Sequence, residues 1–364
     1  MKKEITIGLA VIIVVAAVFL LFATKNKAGG KDAIGSKADS IAADALASEA
    51  DQYFYDGLYE EATARFVKAV ELYPSYSNTL LAAEGFRDMK MFDKAKEYYS
   101  RCLKMELHPF DRASALHELG SALKELKEYP EAEKAYLESL EIFQKLLTEN
   151  PNYKQYYLTR AFFHLGLLYA EIGNYKKAAE YYNKELEIER ALNTGKFDVA
   201  STLNYLGDAH YGAKEYEKAE RCYSEALAIY REDAQKDPDG YIYSHFFQAL
   251  SLGNLGKVYA NKAKPDYAKA EEYFHESLNF YRLDYHRLAA ARLLYEAEEP
   301  ADCGFDLVNA LINTATFYHD KVPNKELSIE LASEAIATIE GCDADPDFVE
   351  EAGKKARLVL EKWK

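Results

Sequence analysis

Between residues 165 and 185 the stretch LGLLYAEIGNYKKAAEYYNKE places Leu165, Gly166 and Tyr169, then Ala178 and Tyr182, at spacings of one, three and four. That is the spacing of helices burying one face. Gly173, Asn174 and Tyr175 interrupt the period, so the pattern predicts two helices joined by a short turn. A small residue followed four positions later by an aromatic recurs along the chain as Ala62 with Phe66, Ala95 with Tyr99, Ala132 with Tyr136, Ala178 with Tyr182, Ala219 with Tyr223 and Ala270 with Phe274. Upstream of four of these pairs a first helix carries its own signature: Leu116, Leu119, Gly120 and Leu123; Phe162, Leu165, Gly166 and Tyr169; Leu203, Leu206, Gly207 and His210; Leu252, Leu255, Gly256 and Tyr259. One helical pair of this kind cannot close its own apolar face, so successive pairs must stack.

These residues resemble the tetratricopeptide repeat, in which Leu, Gly and Tyr on a first helix are followed by Ala and an aromatic on a second. The small positions let the helices approach and the aromatic fills the gap. DGLY at Asp56 to Tyr59 and GNY at Gly173 to Tyr175 supply turns, and Pro74 and Pro109 mark the exits of second helices. The interval between marker alanines grows from 33 residues (Ala62 to Ala95) to 51 (Ala219 to Ala270), similar to the lengthened repeats of the kinesin light chain type. A seventh unit over Leu307 to Tyr318 and Glu326 to Ile339 lacks the Gly and the aromatic. The resemblance implies an all-α, right-handed superhelical solenoid over residues 43–340, with an amphipathic closing helix in 341–364.

Ahead of the array, residues 5–23 (ITIGLAVIIVVAAVFLLFA) carry no charge and match the roughly 20 residues needed to cross a bilayer. A cleavable signal would have a shorter apolar region, so an uncleaved transmembrane anchor is expected, with residues 1–4 in the cytoplasm and the body extracytoplasmic, periplasmic if the cell is bacterial. Lysines on both flanks leave the charge rule nearly silent on this orientation. Residues 24–42, rich in Gly, Ser, Lys and Ala, read as a flexible tether. Gly30 and Gly35 have the interval of a phosphate-binding loop, but Ser36 precedes Lys37 where that loop needs the reverse order.

Composition narrows the chemistry. A net charge of −15 without a basic stripe excludes nucleic acid as an expected partner. The four cysteines form no metal or redox motif, and only Cys303 and Cys342 are placed where a disulfide is conceivable. No spacing of a metalloprotease, serine hydrolase or dinucleotide site occurs, so no enzyme activity, metal or cofactor is expected. His210 occupies a Tyr-like framework position and reads as packing, and the thirty tyrosines mostly follow the repeat code.

In the resembled architecture the first helices line a concave face, and the residues between their framework positions point into it. These are His117, Ser121 and Lys124; Arg160, Phe163, Leu167 and Glu171; Asn204, Asp208 and Tyr211; Asn254 and Lys257. Two aromatic anchors among charges of both signs suit a protein partner, laid along the groove as a peptide or helix. Asp208 stands where a two-carboxylate clamp needs a donor, which argues against a clamp for acidic chain termini. The expected role is a membrane-tethered scaffold or adaptor for protein–protein interaction. The alternative is a structural, self-associating component of a membrane-associated complex.

Overall fold

The computed structural model of the protein describes residues 37–149, 155–193, 195–236, 241–295, 304–340 and 346–363. The described residues form fifteen helices and no strand: α1 (Lys37–Tyr55), α2 (Tyr59–Leu72), α3 (Tyr76–Asp88), α4 (Phe92–Cys102), α5 (Pro109–Glu125), α6 (Tyr129–Glu149), α7 (Tyr156–Glu171), α8 (Tyr175–Leu192), α9 (Lys196–Gly212), α10 (Tyr216–Lys236), α11 (Tyr241–Asn261), α12 (Tyr267–Tyr295), α13 (Gly304–Asp320), α14 (Lys325–Glu340) and α15 (Pro346–Glu361). They divide into two compact units, one ending at Leu168 and the other starting at Tyr169, both within α7. Within each unit, α7 aside, consecutive helices pack on one another, a stretch of all-α helical-hairpin solenoid.

α1 begins at Lys37, so residues 37–42, expected in the tether, belong to the first helix. Asp39 in its first turn complements the helix dipole, and Ala43 and Ala50 bury its inner face. The apolar segment 5–23, like Cys303 and Cys342, lies outside the described residues. No helix among the described residues is long and apolar enough to cross a membrane.

The six marker pairs are buried throughout, none above 4% exposed. The lengthening of later repeats is carried by helices: α2 has 14 residues and α4 has 11, whereas α6 and α10 have 21 and α12 has 29. Five hairpins share one turn. Gly57, Lys90, Lys127, Gly173 and Lys214 each adopt a left-handed backbone, with φ between 57° and 78°. The following residue returns its N–H to a carbonyl five positions back, as Leu58 to Tyr53 (2.9 Å) and Glu215 to His210 (2.8 Å). Lysine holds this geometry at three of the five turns, where glycine would hold it without a Cβ penalty. Lys127→Gly is therefore expected to raise stability by roughly 0.5–1 kcal/mol, measured by urea unfolding; a loss would show that the lysine stem contributes more than the backbone strain costs.

At the C-terminal end, α13 and α14 form a hairpin in which Ala315 replaces the usual Gly, and Ser328 Oγ donates to the Ala315 carbonyl (2.9 Å). α15 packs on both, and Trp363 Nε1 donates to Ser328 Oγ (3.1 Å) while its ring meets His319 edge-on.

Candidate functional site

In the first unit the first helices α3, α5 and α7 carry a chain of charges across their shared face. Glu118 on α5, buried, accepts from Arg87 Nη1 on α3 (2.8 Å) and from Arg160 Nη2 on α7. One carboxylate thus serves two guanidiniums, and against the opposing pull of burial Arg87 is raised further above its already high value by Tyr99 first, then by Glu118 and Asp88. Glu84 stands close by, and burial raises its pKa. Arg160, named from the sequence, is therefore tied into the ladder; Arg87 and Glu118 were not foreseen, because their partners lie 31 and 42 residues apart in the chain.

His117 is only 2% exposed, which corrects its placement among the free groove residues. Its ring packs edge-on against His164 (4.6 Å between centroids) and Tyr136 (5.3 Å). Ser121 accepts from the Tyr136 hydroxyl (3.0 Å), and Lys124 pairs with Glu125 (2.5 Å). Phe163 and Leu167 are half-buried, and the Phe163 ring meets His164 at 5.5 Å.

In the second unit, Glu171 is exposed near the end of α7. Asn204, Asp208, Asn254 and Lys257 converge on the neighbouring first helices α9 and α11. Asp208 Oδ1 accepts from the Tyr223 hydroxyl (2.6 Å) and from Asn254 Nδ2 (3.2 Å), and Asn254 Oδ1 in turn accepts from Lys257 Nζ (3.1 Å). Asn204 Oδ1 accepts from Ser251 Oγ (3.0 Å). Asn204 and Asn254 are themselves buried, 4% and 5% exposed, so they orient their neighbours instead of offering free surface. Tyr211 is not a free anchor either: it is half-buried against the Tyr216 ring, and its hydroxyl accepts from Asn261 Nδ2 (3.2 Å).

Asp208 keeps an exposed face, and the partial loss of water around its carboxyl pushes its pKa up, against the Tyr223 hydrogen bond and the charge of Lys257. Burial pushes Lys257 the other way, below the usual lysine value, with Asp208 opposing. The Lys257 ammonium has three N–H donors, and among the described residues only Asn254 Oδ1 receives one. It stands at one end of a groove of about 270 Å³ between α11 and α13, floored by Phe274, Ser277 and Tyr281 of α12. Asn309 and Asn313, one turn apart and exposed, line the α13 wall, with Asp306 beyond them. These three residues escaped the sequence reading because α13 lacks the framework Gly from which groove positions are counted.

Among the described residues no group of three or more His, Cys, Asp and Glu side chains is arranged to hold a metal ion. Cys102 is buried, and its thiol is pushed up to about 12, mainly by burial, which leaves it unreactive as a thiolate.

Residues 111–188 and 157–232 match the tetratricopeptide repeat family model, so that part of the chain carries tetratricopeptide repeats. A photosystem I assembly protein Ycf3 from Rippkaea orientalis is 29% identical over 115 residues, 32% of this chain and 61% of that protein. The Ycf3 of Acaryochloris marina is 30% identical over 95 residues, 26% of this chain and 55% of its own length. The chain thus spans little more than half the length of the curated relatives it matches. Among solved structures, a tetratricopeptide repeat protein from Parabacteroides merdae superposes with a TM-score of 0.52 at 15% identity, over 86% of this chain and 98% of that one, a likeness of fold.

Proposed function

We propose that the protein is a membrane-tethered scaffold that holds a segment of a protein partner along its first helices, with the α11–α13 groove as the principal seat. The observation that carries this is Lys257: a largely enclosed ammonium with one neutral acceptor, at the end of a groove whose walls offer carboxamides. Such a cation is costly to keep and favours an incoming acceptor, while Asn309 and Asn313 can each donate to and accept from a peptide backbone. The apolar segment 5–23 supplies the tether and raises the local concentration of any partner near the bilayer. The body lies on the extracytoplasmic side in this reading, following the short basic N-terminus. Likeness to two photosystem I assembly proteins favours a version in which the bound segments belong to subunits of a complex being assembled.

The experiment is in-cell photo-cross-linking from a reactive residue at Asn313, compared with one at Glu187 on the exposed face of α8. Defined partner peptides should cross-link from Asn313, not from Glu187, and should weaken about tenfold in a Lys257→Glu variant, the equivalent of about 1.4 kcal/mol. Cross-links indifferent to Lys257, or to this protein alone, would overturn the reading and leave self-association as the function.

A further inference from the structure

The first unit contains two histidines whose arrangement serves no groove contact. His117 on α5 and His164 on α7 touch edge to face at 4.6 Å, and Tyr136 of α6 closes over both, at 5.3 and 5.8 Å. His117 Nε2 and His164 Nδ1 are buried and have no hydrogen-bond partner among the described residues. A neutral imidazole can leave one nitrogen as an unused acceptor; a protonated one carries two donors and a charge that both need a partner. None stands ready. From α7, Arg160 faces both rings with like charge. Lys124 of α5 adds a second cation beside His164, and Glu118, the one carboxylate facing it, is already shared by Arg87 and Arg160.

We propose that the His117–His164 contact is an acid-sensitive latch, holding α5 against α7 while both rings are neutral and releasing them when either takes a proton. The bistable element is the helix contact itself. Closed, it packs two neutral rings against Tyr136; open, it gives each ring water, takes His117 away from Arg160 and takes His164 away from Lys124. Burial, then the neighbouring His164 ring and Arg160, holds His117 well below the usual histidine range, and burial, then Arg160, holds His164 down at about 4. The sign follows from those directions. A histidine whose folded-state pKa is depressed leaves the unfolded or opened chain with more bound protons, so closure is complete above about pH 6.5 and is lost progressively as pH falls towards about 4. Because Arg160, Phe163 and Leu167 share α7 with His164, opening also displaces whatever those residues hold, a consequence that rests on the groove reading. The latch does not rest on it.

The test reads closure directly and needs no partner. Amide hydrogen exchange in peptides from α5 and α7 of the full chain, corrected for the intrinsic pH dependence, should accelerate about tenfold or more between pH 7.5 and pH 5.0, while peptides from α1 and α2 keep their protection. A His117→Gln/His164→Gln chain should show no such step. A pH-independent wild type, or the same step in the double variant, would overturn the latch. If the double variant fails to fold, ring titration of the wild type by NMR decides: both rings neutral down to pH 5 in the closed form supports the latch, and a ring titrating above pH 6 with α5 and α7 still protected overturns it.

Discussion

At pH 8 a Glu185→Gln chain is expected to be more stable than the wild type by about 3 kcal/mol, and at pH 5 the two should differ little. Glu185 lies on the inner face of α8, 6% exposed, and its Oε2 has no hydrogen-bond partner among the described residues. Burial, then the charges of Glu189 and Asp198, push its pKa up to about 9. Glu189, one turn later and equally buried, is raised by its own burial, with a hydrogen bond from Thr202 in opposition. An acid whose folded pKa lies above its unfolded value near 4.5 has its full stability at low pH and loses it as pH rises from about 4.5 towards about 9. Full conversion at pH 8 would give about 5 kcal/mol; relaxation and water entry reduce it to the expected value of about 3 kcal/mol. Glutamine keeps the shape and cannot ionise, so its stability profile should stay flat where the wild type declines. Urea unfolding followed by far-UV circular dichroism at both pH values measures this, and parallel profiles would show that the carboxyl reaches water.

Glu185 and the His117–His164 pair bias the chain in opposite directions. One loses stability as pH rises, the other as it falls, so the two together place the stability maximum in the mildly acidic to neutral range. Neither was legible in the sequence. Acidic residues along a second helix read as a solvated face, and only the packing of α9 on α8 encloses Glu185. By contrast the hairpins were legible, because an aromatic four residues after a small one on a second helix fills the gap left by the Gly of its first helix, as Tyr136 meets Gly120 and Tyr223 meets Gly207, and all six marker pairs are buried. The turns were half legible. Glycine announced those at Gly57 and Gly173, while Lys90, Lys127 and Lys214 adopt the same left-handed backbone with nothing in their chemistry to reveal it.

The groove shows the same division. Counting between framework positions located Arg160, Asp208 and Lys257, whose side chains take part in interhelical networks. It did not show that His117, Asn204 and Asn254 turn towards a neighbouring helix and are buried there. Amphipathic counting treats one helix at a time, and a residue beside the framework stripe is covered or open according to the next helix, which the count does not contain. The α13 wall was missed for a simpler reason: with Ala315 in place of Gly and Ile336 where the aromatic would stand, the last hairpin gives no marker from which to count.

The framework glycines also predict a coupling between the core and the groove. Gly207→Val is expected to destabilise the chain by about 3 kcal/mol, because overpacking adds to the loss of a close helix approach. A Cβ at Gly207 would lie 2.5 Å from Tyr223 Cε1, a separation that real Cβ atoms essentially never show. Tyr223 has little room to yield: it is 1% exposed, and its hydroxyl is held by Asp208 at 2.6 Å. Even Gly207→Ala should cost stability, although alanine gains about 1 kcal/mol over glycine in a helix interior. The cost should also reach the groove, since a displaced Tyr223 releases Asp208, and Asp208 orients Asn254 and through it Lys257. Shortening the aromatic tests the mechanism: Tyr223→Leu alone leaves a cavity and costs about 2–4 kcal/mol, whereas Gly207→Ala with Tyr223→Leu lets the new methyl occupy part of that space. The double variant should therefore be at least about 1 kcal/mol more stable than the sum of the single losses allows. Strict additivity would mean that the small residue and the aromatic do not act as one packed unit. Gly256, whose Cβ would meet Phe274 Cδ1 at 2.9 Å, provides the same cycle without a hydroxyl. Because Phe274 also floors the α11–α13 groove, both cycles should change partner affinity, the Gly256 cycle through that floor and the Gly207 cycle through the Asp208–Asn254–Lys257 chain.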